Sequence, residues 1–134
     1  MGDGPIVVLY DGDCRWCRWS VARLVPLDRR GRLRLATIQG DEGSRLLAGM
    51  PEPERLASAH AVTPDGKVFS GGDAAAPIAA GLPALSPLAP VLRSLPGPVR
   101  AAYGLVAANR SRLGRRLGDR ALERADRLIA SRSS

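Results

Sequence analysis

The spacing of apolar positions changes several times along the chain, and each change marks an element. Ile6-Val7-Val8-Leu9-Tyr10 is an uninterrupted apolar run rich in β-branched residues, too short to span a membrane and suited to a buried strand. Asp11-Gly12-Asp13 breaks it with turn residues and offers a carboxylate suited to capping a helix. From Cys17 onward, Val21, Leu24 and Val25 recur at helical spacing until Pro26-Leu27-Asp28 and Gly31 end the stripe. Basic and apolar residues then alternate from Arg32 to Ile38, predicting a half-exposed strand whose outward arginines discourage edge pairing. Asp41 is expected to cap a short helix carrying Leu46, Leu47 and Ala48, stopped by Gly49 and Pro51-Glu52-Pro53. Ser58–Thr63 and Lys67–Ser70 read as strands, and the Pro64-Asp65-Gly66 turn between them makes an antiparallel hairpin. After Gly71-Gly72, Asp73 is expected to cap a helix running through Ala80.

This order, βαβαββα, predicts an α/β fold with a small mixed four-stranded sheet and helices on its faces. The right-handed crossover rule places the first two strands parallel and adjacent or nearly so. Beyond Leu82 the prolines at 83, 87, 90, 96 and 98 divide the chain into short helical pieces. Val99–Asn109 is expected as a longer helix with Val99, Tyr103, Leu105 and Val106 inward. Leu113–Ala130 is expected as a final helix with Leu113, Leu117, Leu122, Ala125 and Ile129 near one stripe. The whole reads as one domain, a core over 4–81 with a helical extension over 84–131.

The chemistry gathers where the first strand meets the first helix. Cys14 and Cys17 are three residues apart, on one face of a helix start, with Cβ atoms about 5–6 Å apart in regular geometry. A disulfide needs about 3.5–4.5 Å, which a loosened first turn supplies. Unpaired backbone N–H groups and the positive end of the helix dipole favour a thiolate there, and the thiolate is the nucleophile. Cys14, nearer the helix start, is the candidate attacking group and Cys17 the resolving thiol. Arg15 and Arg18 favour the thiolate, whereas Asp11 and Asp13 oppose it or accept protons. Trp16, between the cysteines, offers an apolar docking surface for a thiol partner, or packs under a neighbouring loop. The plain alternative for the cysteines is a pair of unbridged core residues. A Cys-x-x-Cys at a strand–helix junction favours redox chemistry.

At the same residues, Leu9-Tyr10-Asp11-Gly12-Asp13-Cys14-Arg15-Trp16-Cys17 resembles the signature of the DCC family of predicted thiol–disulfide oxidoreductases, named for its Asp-Cys-Cys pattern. The hairpin Val62–Phe69, the Gly72-Asp73-Ala74 after it, and Tyr103 with Asn109-Arg110 agree with that family. The resemblance implies a thioredoxin-like fold and a Cys-x-x-Cys pair cycling between dithiol and disulfide, with Asp73 near the site. The implied partners are a thiol or disulfide substrate, protein or small molecule, and a cellular thiol reductant. That chemistry uses no organic cofactor and no metal. Two departures stand out. Arg15-Trp16 lacks the proline thioredoxin carries between its cysteines, and Arg55–Ala59 lacks the proline that thioredoxins and glutaredoxins carry before the third strand.

Charge adds less. The net +7 comes from arginine, with Lys67 the only lysine among twenty basic residues. Arg110, Arg112, Arg115, Arg116, Arg120, Arg124 and Arg127 suggest a basic nucleic-acid or partner-binding module as one alternative. Asp119, Glu123 and Asp126 interrupt the run at helix-pairing spacing and aromatic platforms are lacking, so a solvated helix face is preferred and nucleic acid is not expected. A strand followed by Asp-x-Asp also resembles haloacid-dehalogenase-like phosphatases, with Asp11 as nucleophile, Asp13 as general acid and Mg²⁺ bound. That reading ranks behind, since the only lysine lies in a predicted hairpin and Asp73 lacks an acidic neighbour. Cys14, Cys17 and His60 fall short of a four-ligand zinc set, and His60 reads as a core or surface histidine. Asp3 and Asp11 flank the apolar run, unlike a secretory leader, and Ile6 breaks the myristoylation pattern of Met1-Gly2. A cytoplasmic location without a membrane span is therefore expected.

Overall fold

The computed structural model describes residues 4–132; the expectations placed on Met1, Gly2 and Asp3 lie outside them. In chain order the elements are β1 (Ile6–Tyr10), α1 (Arg15–Ala22), β2 (Leu33–Thr37), α2 (Asp41–Leu46), α3 (Glu52–Ala57), β3 (His60–Val62) and β4 (Val68–Ser70). They continue with α4 (Ala75–Gly81), α5 (Ala89–Ser94), α6 (Pro96–Ala108), α7 (Arg110–Arg115) and α8 (Asp119–Ala130). The sheet order is β2-β1-β3-β4. β1 and β2 are parallel, in register from Ile6 opposite Leu33 to Tyr10 opposite Thr37, and β3 runs antiparallel to both β1 and β4. This is the mixed α/β arrangement of thioredoxin-like folds, with the first two strands adjacent as the crossover rule allows.

The unbroken apolar run of β1 is explained by burial on both faces. Ile6, Val8 and Tyr10 join one core with Leu33, Leu35 and Ala61, covered by Val21 and Ala22 of α1, Leu82 after α4, and Ala125 and Ile129 of α8. Val7 and Leu9 point the other way, into a second core with Ile38, Leu47 and Val62, onto which Leu46, Met50 and Leu56 pack. The last helix therefore shares the main core with the sheet. No helix among the described residues is long and apolar enough to cross a membrane.

Several local expectations are corrected. Neither Asp41 nor Asp73 caps a helix through its side chain: Gly40 and Ala74 occupy those cap positions, and Asp73 lies in a 3-10 turn over Gly71–Ala74. The prolines after Gly49 do not only stop a helix. Pro51 is the cap of α3 and Pro53 lies in its first turn, where a missing N–H costs nothing. Leu105 and Val106 face solvent, 69% and 42% exposed, because α6 packs chiefly on the 3-10 turn before α4 through its opposite side. The helix expected over Leu113–Ala130 is two helices, broken between Arg115 and Asp119. The break leaves the carbonyls of Gly114 and Leu117 to the Arg15 guanidinium, at 3.1 and 2.7 Å, while Leu122, Ala125 and Ile129 stay buried.

The connection from α1 to β2 is fixed by Asp28, 1% exposed. Its carboxylate accepts the backbone N–H of Arg32 and of Leu33 at 2.9 and 3.0 Å, and Arg132 lies 3.3 Å from the same group. Arg132 also donates to the Asp28 carbonyl, so the end of the last helix is tied to the start of β2. Replacing Asp28 by Ala strands buried donors and an arginine, and is expected to cost about 3–5 kcal/mol in urea unfolding. Arg132→Met, with a half-exposed partner removed, should cost about 1–2 kcal/mol. Equal and small losses for both would show that Asp28 is not a buried anchor.

Candidate redox site

The strand β1 ends against the turn Asp11-Gly12-Asp13, which is built by Asp11 itself. Its Oδ1 accepts the Asp13 N–H at 3.0 Å, and its carbonyl accepts the Cys14 N–H. Gln39 braces the turn from the neighbouring strand end, donating to Asp11 Oδ1 at 2.6 Å and accepting the Gly12 N–H at 3.0 Å. The parallel register that sets Tyr10 beside Thr37 makes this bracing possible. Gly12 leaves room there: a Cβ would lie 2.9 Å from Thr37 Cγ2, so the threonine would have to shift. Asp11 thus orders the turn, and the capping role expected of this carboxylate falls to a sulfur.

That sulfur is Cys14. It occupies the cap position of α1 with extended backbone, and its Sγ accepts the Cys17 N–H at 3.2 Å. The geometry replaces the usual oxygen cap with a thiol acceptor among the donors that open the helix. Both cysteines are half-buried and unbridged. Cys17 packs against the main core, and its thiol is pushed up to about 12. Burial is the largest cause, followed by its hydrogen bond to Cys14 and the negative charge of Cys14; the positive charge of Arg110 opposes them. Cys17 therefore holds its proton more firmly than an ordinary thiol.

The other expected residues divide. Arg15 spends its guanidinium on the carbonyls of Gly114 in α7 and Leu117 just after it and approaches Asp119 at 3.9 Å, so it clamps α7 to α1. Gly114 allows that closeness: a Cβ there would sit 3.1 Å from Arg15 Cβ and 3.2 Å from the Trp16 nitrogen. Arg18 forms a two-pronged pair with Asp126 of α8. Asp13 is exposed on the turn. Trp16 stacks on Trp19 with ring centres 5.0 Å apart, and Arg23 lies over the Trp19 ring. Asp73 makes a paired contact with Arg100, which holds its carboxyl below the usual range, and it lines a cleft to which neither cysteine contributes. His60 is buried with both ring nitrogens engaged. Nε2 faces the Arg55 carbonyl at 2.8 Å and so carries a proton there, and Nδ1 meets the Ser70 hydroxyl at 2.7 Å.

Sequence reasoning missed Gln39 altogether, and marked Tyr103 and Arg110 as family-like positions without foreseeing their contacts. Gln39 gave no local signal, because its partners are 27 and 28 positions away. Tyr103 was expected to face inward, but not that its hydroxyl would accept the Ala59 N–H at 2.8 Å at the entrance to β3. Burial raises the Tyr103 phenol, with smaller contributions from the charges of both cysteines. Arg110 was read as part of a solvated basic face. It donates instead to the Leu56 carbonyl at 3.1 Å and is close enough to Cys17 to act on its thiol. The segment entering β3 holds no cis peptide, and the Ala59 carbonyl accepts the Gly71 N–H, so both its backbone groups are used internally.

Searches of curated proteins and of solved structures return no significant match. The family model described as DCC1-like thiol-disulfide oxidoreductase matches residues 8–116, a stretch running from β1 to the end of α7 and containing both cysteines, Tyr103 and Arg110. The chain belongs to the DCC1-like thiol-disulfide oxidoreductase family.

Proposed function

We propose that Cys14 and Cys17 are the working pair of a dithiol–disulfide cycle, with Cys14 attacking and Cys17 resolving. The observation that carries the reading is the placement of two half-buried, unbridged cysteines at the start of α1, with Cys14 Sγ accepting the Cys17 backbone N–H at 3.2 Å. The Cys14 thiolate attacks one sulfur of a substrate disulfide. The S–S bond breaks, the departing sulfur leaves as a thiolate and takes up a proton, and Cys14 enters a mixed disulfide. Cys17 then loses its proton and attacks the Cys14 sulfur, releasing the second substrate thiol. Two electrons have passed to the substrate, and a cellular thiol reductant restores the dithiol. Run backwards, the same steps oxidise a substrate dithiol.

The sources of the Cys17 shift set the order of events. Once Cys14 is in a mixed disulfide, its negative charge is gone and its sulfur is a poorer acceptor for the Cys17 proton. Burial remains, but two of the causes that held the Cys17 proton weaken. The resolving thiol is thus readied by the first step, with Arg110 supporting its thiolate. Asp11, whose charge also acts on Cys17, is the proton acceptor this reading favours. Tyr103 and the occupied Ala59 backbone argue against a substrate strand pairing at the entrance to β3. The stacked Trp16 beside Cys14 is the preferred apolar contact for the substrate, and a cytoplasmic setting would supply the reductant.

Titration of the protein in glutathione buffers, with alkylation and mass readout of each cysteine, should give one reversible two-electron transition. Cysteines that never pair across the accessible range would end the proposal. Cys14→Ser should reduce exchange to the uncatalysed rate, and Cys17→Ser should accumulate a mixed disulfide on Cys14.

The raised Cys17 thiol gives a pH prediction. Below about pH 12 the protonated form dominates, so at pH 8 the thiolate fraction is about 10⁻⁴ and Cys17 should resist iodoacetamide. Its alkylation should quicken about tenfold for each pH unit up to that value. In Cys14→Ala the proton acceptor and the charge are both lost, so Cys17 should alkylate at least about tenfold faster at pH 8. An unchanged rate in that variant would show that burial alone governs Cys17.

A further inference from the structure

Away from the cysteines, a cleft of about 710 Å³ opens between the β3–β4 hairpin and helices α4 to α6. Its volume lies within the range of about 300–1,000 Å³ usual for small-molecule sites. Ile6, Phe69, Leu92 and Val99 supply apolar walls. The walls are tightly packed where they meet. A Cβ on Gly72 would come within 2.8 Å of the Arg100 backbone, and one on Gly81 within 2.6 Å of Ile6 Cδ1, both glycines lining the cleft. The Asp73–Arg100 pair fastens the turn before α4 to α6 across the same wall. The space is therefore held open by rigid neighbours.

Its charges are unevenly committed. Two carboxylates line the cleft, and both are used internally: Asp73 by Arg100, and Asp65 by the Thr63 hydroxyl and the Lys67 N–H of its own turn. Arg32, Lys67 and Arg93 also line it. The side chains of Lys67 and Arg93 are exposed and form no ion pair with another described residue. The only lysine of the chain and an arginine of α5 thus face an apolar space; the Asp65 charge acts on Lys67, but neither cation is held in an ion pair among the described residues.

We propose that this cleft is a binding site for a small amphipathic carboxylate, its apolar body against Phe69, Leu92 and Val99 and its anionic end between Lys67 and Arg93. The site is separate from the thiol chemistry and does not depend on it. Apolar area provides the attraction, and the two cations select the sign of the head group.

Amide NMR titration of the ¹⁵N-labelled full chain with decanoate, below its micelle concentration, tests this. Saturable shifts are expected in the hairpin, α4, α5 and the first turn of α6, with decanol at least about fivefold weaker and decyltrimethylammonium weaker still. The double substitution Lys67→Glu with Arg93→Glu should weaken decanoate by at least about fivefold and leave decanol unchanged. Ala80→Trp, filling the cleft from an exposed helix position, should abolish binding of both, and Cys14→Ser should leave both intact. The proposal fails if decanoate gives no saturable shift, if the cationic amphiphile binds as well as decanoate, or if the shifts map to the exposed Leu88, Val91 and Leu105 surface. Should the tryptophan variant not fold, the charge-reversed pair still decides the matter, because both its positions are exposed.

Discussion

Burial of β1 on both faces is the constraint from which the rest of the architecture follows. A strand covered by two cores has no room for polar side chains along its length, so polar chemistry must begin where it ends. The turn at Asp11–Asp13 is the first place this occurs. There the backbone leaves the sheet and opens a helix, whose unpaired donors gather around the residue at its cap. The cysteines stand at that point because the sheet permits reactive groups nowhere earlier.

The helices after the sheet belong to the same logic. α7 is clamped to α1 by Arg15, α8 is paired to it by Arg18, and α6 delivers Tyr103 to the entrance of β3. These contacts hold α1 in a frame and leave the Ala59 backbone no external hydrogen bonds to offer. A region that reads in sequence as an appended helical extension thus frames α1 and closes the entrance to β3.

Much of this was legible in the residues, and the limits follow a physical line. Patterns governed by period and turn chemistry were readable: the apolar run of β1, the alternation of β2, the Pro64-Asp65-Gly66 hairpin, and the Cys-x-x-Cys at a helix start. Features set by tertiary geometry were not. Asp11, Asp41 and Asp73 are all plausible caps locally, yet Gln39, Gly40 and Arg100 decide what each does. At the α7–α8 break two carbonyls meet an arginine about a hundred residues earlier, a contact no local period records. Arg110 looked like one charge in a solvated row because sequence spacing says nothing about the Leu56 carbonyl that holds it. Ala, Leu and Arg recur throughout the last third, so inward and outward faces there were the hardest to separate.

The sulfur cap has a consequence beyond reactivity. Cys14 Sγ closes the first turn of α1, so any bond made by that sulfur changes how many backbone donors the helix leaves unsatisfied. Helix order and oxidation state become two coordinates of one equilibrium. By linkage, whichever redox form caps the helix better is the form that folding favours, and the difference in folding free energy between the forms must appear in the potential of the pair. In the proposed cycle, packing by α7 and α8 would then bear on the balance between dithiol and disulfide.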